Sequence, residues 1–104
     1  MSTHTGVELI RAERQRQIDV EGFGAGHDDE HPSGELACAA DAYVFAALAN
    51  IAWKPVVPTM LWPWELEAWK PSPDPVRNLV KAGALIAAEI DRILRAKQDS
   101  GGSE

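Results

Sequence analysis

The stretch Asp74-Pro75-Val76-Arg77-Asn78-Leu79-Val80-Lys81-Ala82-Gly83-Ala84-Leu85-Ile86-Ala87-Ala88-Glu89-Ile90-Asp91-Arg92-Ile93-Leu94 decides the fold class. Val76, Leu79, Gly83, Ile86, Ile90 and Ile93 recur at the three- and four-residue intervals of one helical face, and Val80, Ala87 and Leu94 broaden it. Asp74 carries the side-chain acceptor of an N-cap, and Pro75 has the fixed φ that suits a first helical position. The spacing therefore predicts a helix over 75–97 with that seam as its packing face. Gly83 in mid-helix costs about 1 kcal/mol relative to alanine, so it marks a close contact with another helix. Lys81, Glu89, Asp91, Arg92 and Arg95 lie off the seam, and Asp91 and Arg95 form an i,i+4 pair.

Two more helices precede it. Residues 34–52 begin with Ser33 as a plausible N-cap and Glu35 in the first turn. They carry a stripe of Leu36, Ala40, Tyr43, Ala47 and Ile51, widened by Ala39, Val44 and Ala46. After Asp41 this helix is nearly free of charge and rich in alanine, which lets a neighbour approach closely. A helix apolar nearly all round belongs at a centre or a subunit contact. Residues 6–21 form the first helix. Thr5 and Glu8 have the spacing of a capping box, and Val7, Ile10 and Ile18 share a face with Arg14 and Gln17. A polar group on an apolar stripe needs a partner or water. Arg14 either snorkels at an edge or faces a ligand or a carboxylate.

Between the first two helices, Gly22, Gly24, Gly26, Pro32 and Gly34 predict a loop over 22–34. After the second, Pro55, Pro58, Pro63, Pro71, Pro73 and Pro75 break residues 54–75 repeatedly. That segment holds Trp62, Trp64 and Trp69, with Trp53 just before it, and one short helix fits over 63–69. The expectation is an all-α, compact three-helix domain over 1–97, crossed by a proline- and tryptophan-rich segment, with a disordered tail over 98–104.

The 104 residues are room for one domain. Ten Lys and Arg against sixteen Asp and Glu give a net charge of -6, which excludes duplex nucleic acid as a partner but leaves room for a small anion in a local cationic pocket. Cys38 is the only cysteine, so no internal disulfide framework exists. The longest uncharged run, 42–53, falls short of the ~20 residues that span a bilayer. No signal sequence opens the chain, so the expected compartment is cytoplasmic.

Three constellations carry chemistry. The first is His27-Asp28-Asp29-Glu30-His31. Histidines and carboxylates of this kind either cap and solvate locally, touch an organic ligand, or hold a divalent metal through His27, Asp28, His31 and Glu35. The second is Trp62 to Pro71. Indole rings either roof an alanine-rich core or stack on a base, and Trp62 and Trp64 are the candidates for stacking. The third is basic: Lys54, Lys70, Arg77 and Lys81 around the tryptophans. Rings beside cations suit an anionic, nucleotide-like ligand. Candidate binding residues are thus Arg14, Gln17, His27, Asp28, Asp29, His31, Trp62, Trp64, Lys70 and Lys81. No catalytic residue is assigned.

The pattern Glu13-Arg14-Gln15-Arg16-Gln17-Ile18, Glu21-Gly22-Phe23, His27 to His31, Gly34-Glu35-Leu36-Ala37, Pro63-Trp64, Trp69-Lys70-Pro71, Leu79-Val80-Lys81-Ala82 and Ala87-Ala88-Glu89-Ile90 resembles a family of small uncharacterised phage and prophage helical proteins. Gly22-Phe23, Asp28-Asp29 and His31-Pro32 are similar to the turn and acidic run of the ryanodine-receptor repeat domain. MazG-type all-α nucleotide pyrophosphohydrolases hold Mg with Glu-x-x-Glu and Glu-x-x-Asp. Here Glu35 and Asp41 are six apart and Glu89 and Asp91 two apart, a departure from that spacing. The resemblance, taken with the tryptophans and the basic residues, leads to the expectation of a phage accessory protein that binds a small nucleotide-like ligand and sequesters a host defence signal. The alternatives are a metal-dependent nucleotide hydrolase using His27, Asp28, Asp29, His31 and Glu35, and a protein–protein inhibitor with the tryptophans as its hot spot. A homo-oligomer is expected from the apolar second and third helices.

Overall fold

A computed structural model describes residues 4–52 and 61–99. It is all-α: α1 (Gly6–Asp19), α2 (Ala25–Asp29), α3 (Glu35–Ala52) and α4 (Pro75–Asp99), with a 3-10 turn at Leu66–Ala68 before α4 and no strand among the described residues. None of these helices is long and apolar enough to cross a membrane.

The starts of α1 and α4 follow the sequence, whereas α3 begins at Glu35 after Gly34, and the expected cap Ser33 instead donates its amide to the Glu35 carboxylate at 2.7 Å. The Thr5 hydroxyl accepts from the Glu8 amide at 3.2 Å, and Glu8 accepts from the Thr5 amide at 2.7 Å, closing the capping box. Asp74 accepts from the Val76 amide at 2.9 Å at the start of α4. Gly22 and Gly34 sit at φ 78° and 90°, the left-handed region that favours glycine, and they end α1 and lead into α3.

α4 is the hub: α3 packs along it, and α1 and α2 also rest on it. α3 and α4 run antiparallel, since Asn50 near the end of α3 accepts from Asn78 near the start of α4 at 2.7 Å. Asn78 is fully buried, and its amide also donates to the Ser72 carbonyl and accepts from the Ser72 amide, both at 2.8 Å. The core joins Leu36, Ala39, Ala40, Ala42 and Tyr43 of α3 to Ala82, Leu85 and Ala88 of α4, roofed by Trp62 with Leu61, Trp64 and Trp69 packed against it. Small residues bring the two backbones close, and the indoles supply the bulk that alanines lack.

Five expectations are corrected. Residues 25–29 are helical, not loop: extended Gly24 starts a single turn, and Asp28 inside it is fully buried on an arginine. The expected helix over 63–69 is only the 3-10 turn Leu66–Ala68. α4 continues through Gln98 and Asp99, and the rest of the expected tail, 100–104, lies outside the described residues, as do Trp53, Lys54, Pro55 and Pro58. Most important, α4 is rotated from its predicted phase. Asn78, Val80, Ala82, Ala84, Leu85 and Ala88 are buried, whereas Val76, Leu79, Ile86, Ile90 and Ile93 are exposed. The physical reason is that α3 offers an alanine face, which the small residues of α4 match, and Asn78 is pinned inward by its three hydrogen bonds. The Asp91–Arg95 pair is likewise replaced: Arg95 reaches Asp29 at 2.9 Å, and Asp91 lies 4.0 Å from Arg14.

Candidate functional site

α1 presents Glu13, Arg16 and Gln17 on one face, at the i, i+3 and i+4 positions that adjoin on a helix. Glu13 is buried and takes Arg16 Nε at 2.9 Å, Arg77 Nη2 at 2.7 Å and Gln17 Nε2 at 3.2 Å. Burial pushes its carboxyl up, but the two guanidinium groups outweigh this and hold it below the ordinary value. Arg16 also reaches Glu21 at 3.2 Å, and its partnership with Glu13 raises its own pKa.

Beyond α1 the chain folds back, with the Phe23 amide donating to the Gln17 carbonyl at 2.9 Å. This lays Phe23 flat on His27, centroids 4.4 Å apart and planes 16° from parallel. His27, His31 and Trp64 continue the cluster, with His31 edge-on to Trp64 at 5.3 Å. Trp64 stands perpendicular to Trp62 at 5.2 Å, and Tyr43 joins Trp62 and Trp69.

Where α1, this aromatic run and α4 meet, a cavity of about 90 Å³ remains. Phe23, Tyr43, Trp62 and Trp64 form its apolar wall. Arg16 also lines it, bonded to Glu13 and Glu21, and Lys70 and Lys81 bring two further cations to it in a chain of net charge -6. Lys81 Nζ donates to the Lys70 carbonyl at 2.8 Å and lies 5.3 Å from the Tyr43 ring centroid. Among the described residues no carboxylate lies within ion-pair distance of it. Burial, then the charge of Arg77, lowers its pKa. Tyr43 is shifted up by burial, against which the Lys70 amide bond acts.

Two lining residues carry unpartnered polar atoms. Gln17 Oε1 and Trp64 Nε1 are buried and make no hydrogen bond. Each such group costs about 1–3 kcal/mol if left dry. The cavity's lining brings indole and phenol rings together with Lys70 and Lys81. A pocket for a whole nucleotide-sized ligand starts near ~300 Å³, so this cavity holds one polar group, not the whole. An open depression of about 540 Å³ walled by Pro63, Trp64, Glu65 and Ala68 shares Trp64 and Ala68 with it. Trp64 thus stands between the enclosed subsite and an open shelf.

Of the predicted site residues, Gln17, Trp62, Trp64, Lys70 and Lys81 converge on this cavity. Trp62 does so as a core residue whose indole N–H is already used on the Glu65 carbonyl at 2.9 Å. His27 and His31 reach only the back of Trp64. Arg14 is turned away: it donates to the Phe23 carbonyl at 3.1 Å and to fully buried Asp28 at 3.3 Å. Asp28 also takes His27 Nδ1 at 3.0 Å, and Asp29 belongs to Arg95. His31 and Glu35 form a separate pair at 3.8 Å. Among the described residues no three His, Cys, Asp or Glu side chains gather as a metal would need, so His27, Asp28, His31 and Glu35 are not one ligand set. Glu13, Arg16, Phe23 and Tyr43 were not singled out in the sequence. The available signal was Glu13 and Gln17 at i,i+4 beside Arg16.

No protein-family model, curated protein or solved structure matches the chain.

Proposed function

We propose that this chain binds a small anionic ligand bearing a flat ring, nucleotide-like in chemistry. Its anionic group enters the cavity toward Lys81 and Lys70, and its ring lies on the open face of Trp64. The observation that carries this reading is one small cavity where Phe23, Tyr43, Trp62 and Trp64 stand beside Lys70 and Lys81, and where Lys81 has no carboxylate partner among the described residues. A base stacked on an indole contributes about 1–3 kcal/mol. An ammonium that is already partly desolvated gains more from a phosphate than a surface lysine does. In the phage setting that the sequence pattern resembles, the role is accessory: the protein holds a host signal nucleotide out of solution.

The test is a thermal-shift screen of the purified chain with nucleoside mono- and diphosphates and cyclic nucleotides. A ligand at a hundred times its Kd raises stability by about 2.7 kcal/mol, a shift of several degrees for a domain of this size. A screen in which no nucleotide moves the Tm overturns the reading.

A further inference from the structure

The exposed side of α4 carries a feature that ligand binding does not use. Leu79, Ile86, Ile90 and Ile93 are each at least 40 % exposed and keep the seven-, four- and three-residue spacing of a coiled-coil seam, with Ile10 of α1 seated at Gly83 on its edge. On α3, Val44, Leu48 and Ile51 are also at least 40 % exposed at helical spacing. The two stripes lie on one side of the helix pair. The tryptophan segment covers the other side, where Tyr43 of α3 meets Trp62 and Trp69 and Lys81 of α4 reaches over Tyr43. Because α3 and α4 are antiparallel neighbours, the stripes flank their seam as one apolar face.

From this we infer that the face is a dimer interface, covered in solution by a second copy of the chain. Its seven large side chains expose roughly 600 Å² of apolar surface, the upper end of what a monomer leaves in one patch. A standard interface buries ~800 Å² on each partner, so these side chains supply most of one. None of these seven positions is charged, so the face offers nothing to select a partner of opposite charge. A seam repeating at three and four residues along one helix is self-complementary about a two-fold axis, which is the commonest way for a chain to meet its copy.

Sedimentation equilibrium of the full chain over a hundredfold concentration range tests this. The expected mass is two chains, falling to one for Ile86→Glu and for Ile90→Lys, with the helical circular dichroism of the diluted wild type retained. Both side chains lie outside the core, and the wild-type mass decides the matter even if a variant loses helix. A wild type that stays at one chain mass throughout overturns the proposal, as does a folded Ile86→Glu, Ile90→Lys double variant that keeps the dimer mass.

Discussion

Ile10 of α1 fills the notch left by Gly83 of α4: a Cβ built on Gly83 would lie 2.6 Å from Ile10 Cδ1 and 2.9 Å from Cγ1. Two effects of opposite sign meet there. Alanine at 83 gains about 1 kcal/mol of helix propensity, yet it drives Ile10 out of its seat. The expected result is coupling. Gly83→Ala in the wild-type background loses about 1 kcal/mol or more, whereas in an Ile10→Ala background it gains up to about 1 kcal/mol. Urea titrations of the four proteins in this double-mutant cycle measure it, and additive effects would show that the notch is not shared.

Arg14 is expected to be structural. Among the described residues its guanidinium is the only Arg or Lys group on Asp28, which is fully buried, and it also ties α1 to the Phe23 carbonyl. Removing one partner of a buried ion pair costs about 3–5 kcal/mol, because the other charge is left behind. Arg14→Ala should therefore lower the Tm by ten degrees or more. Arg14→Ala with Asp28→Asn should recover part of that loss. If Arg14→Ala keeps its Tm and loses only nucleotide affinity, the arginine acts on the ligand instead.

The all-α class and the starts of α1 and α4 were legible because caps, prolines and helical spacing are local signals. The phase of α4 was not. Its aliphatic seam reads as the packing face, but burial is decided by what the neighbour presents, and α3 presents alanines. Asn78 looks like a surface residue in the sequence; only the Ser72 backbone and Asn50, both remote or local through the fold, make its burial tolerable. The same holds for the site. Trp64, Gln17 and Lys81 were visible as residue types that suit a ligand. Glu13 was hidden, because nothing local shows that Arg77, far along the chain, comes to meet it. His27, Asp28, His31 and Glu35 read as a cluster by proximity in sequence, yet the α2 turn parts them into two pairs.

Acid should act first through Glu13. Its carboxyl is held below its ordinary value of 4.5 by Arg16 and Arg77 against the opposing effect of burial. A depressed folded pKa stabilises the protein above the unfolded value, and this contribution is lost as pH falls through the folded one. Stability is therefore expected to be flat near neutrality and to decline below about pH 4.5. Glu35, lowered mainly by its hydrogen bonds to backbone amides, adds to the same limb. Glu13→Gln should cost about 3 kcal/mol at neutral pH, since two guanidinium groups lose their anion, and should flatten the decline between pH 5 and 3. Urea midpoints across that range measure both. An unchanged acid limb in Glu13→Gln would show that other carboxylates carry it.

Ring and charge recognition should separate in the ligand site. Trp64 stands half-buried between cavity and shelf, so Trp64→Ala removes the stacking face and leaves Trp62 to roof the core. It should weaken nucleotide binding by roughly ten- to a hundredfold, with Trp64→Phe recovering most of the loss. Lys81 contributes charge without a carboxylate partner, so Lys81→Met should weaken a nucleotide but hardly affect the matching nucleoside. It should also reduce the salt dependence of binding, because screening acts on the charge and not on the ring. Gln17→Leu tests the remaining group. It removes the unpartnered Oε1 but also the Nε2 donor that buried Glu13 accepts at 3.2 Å, so the free protein should lose about 1–3 kcal/mol, and its nucleotide affinity is read where the variant is fully folded. Calorimetric titrations of nucleotide and nucleoside into the four proteins at two salt concentrations give these differences directly. If Trp64→Ala and Lys81→Met lower nucleotide and nucleoside affinity by the same factor, with unchanged salt dependence, the cavity does not receive the phosphate, and the ligand lies elsewhere on the surface.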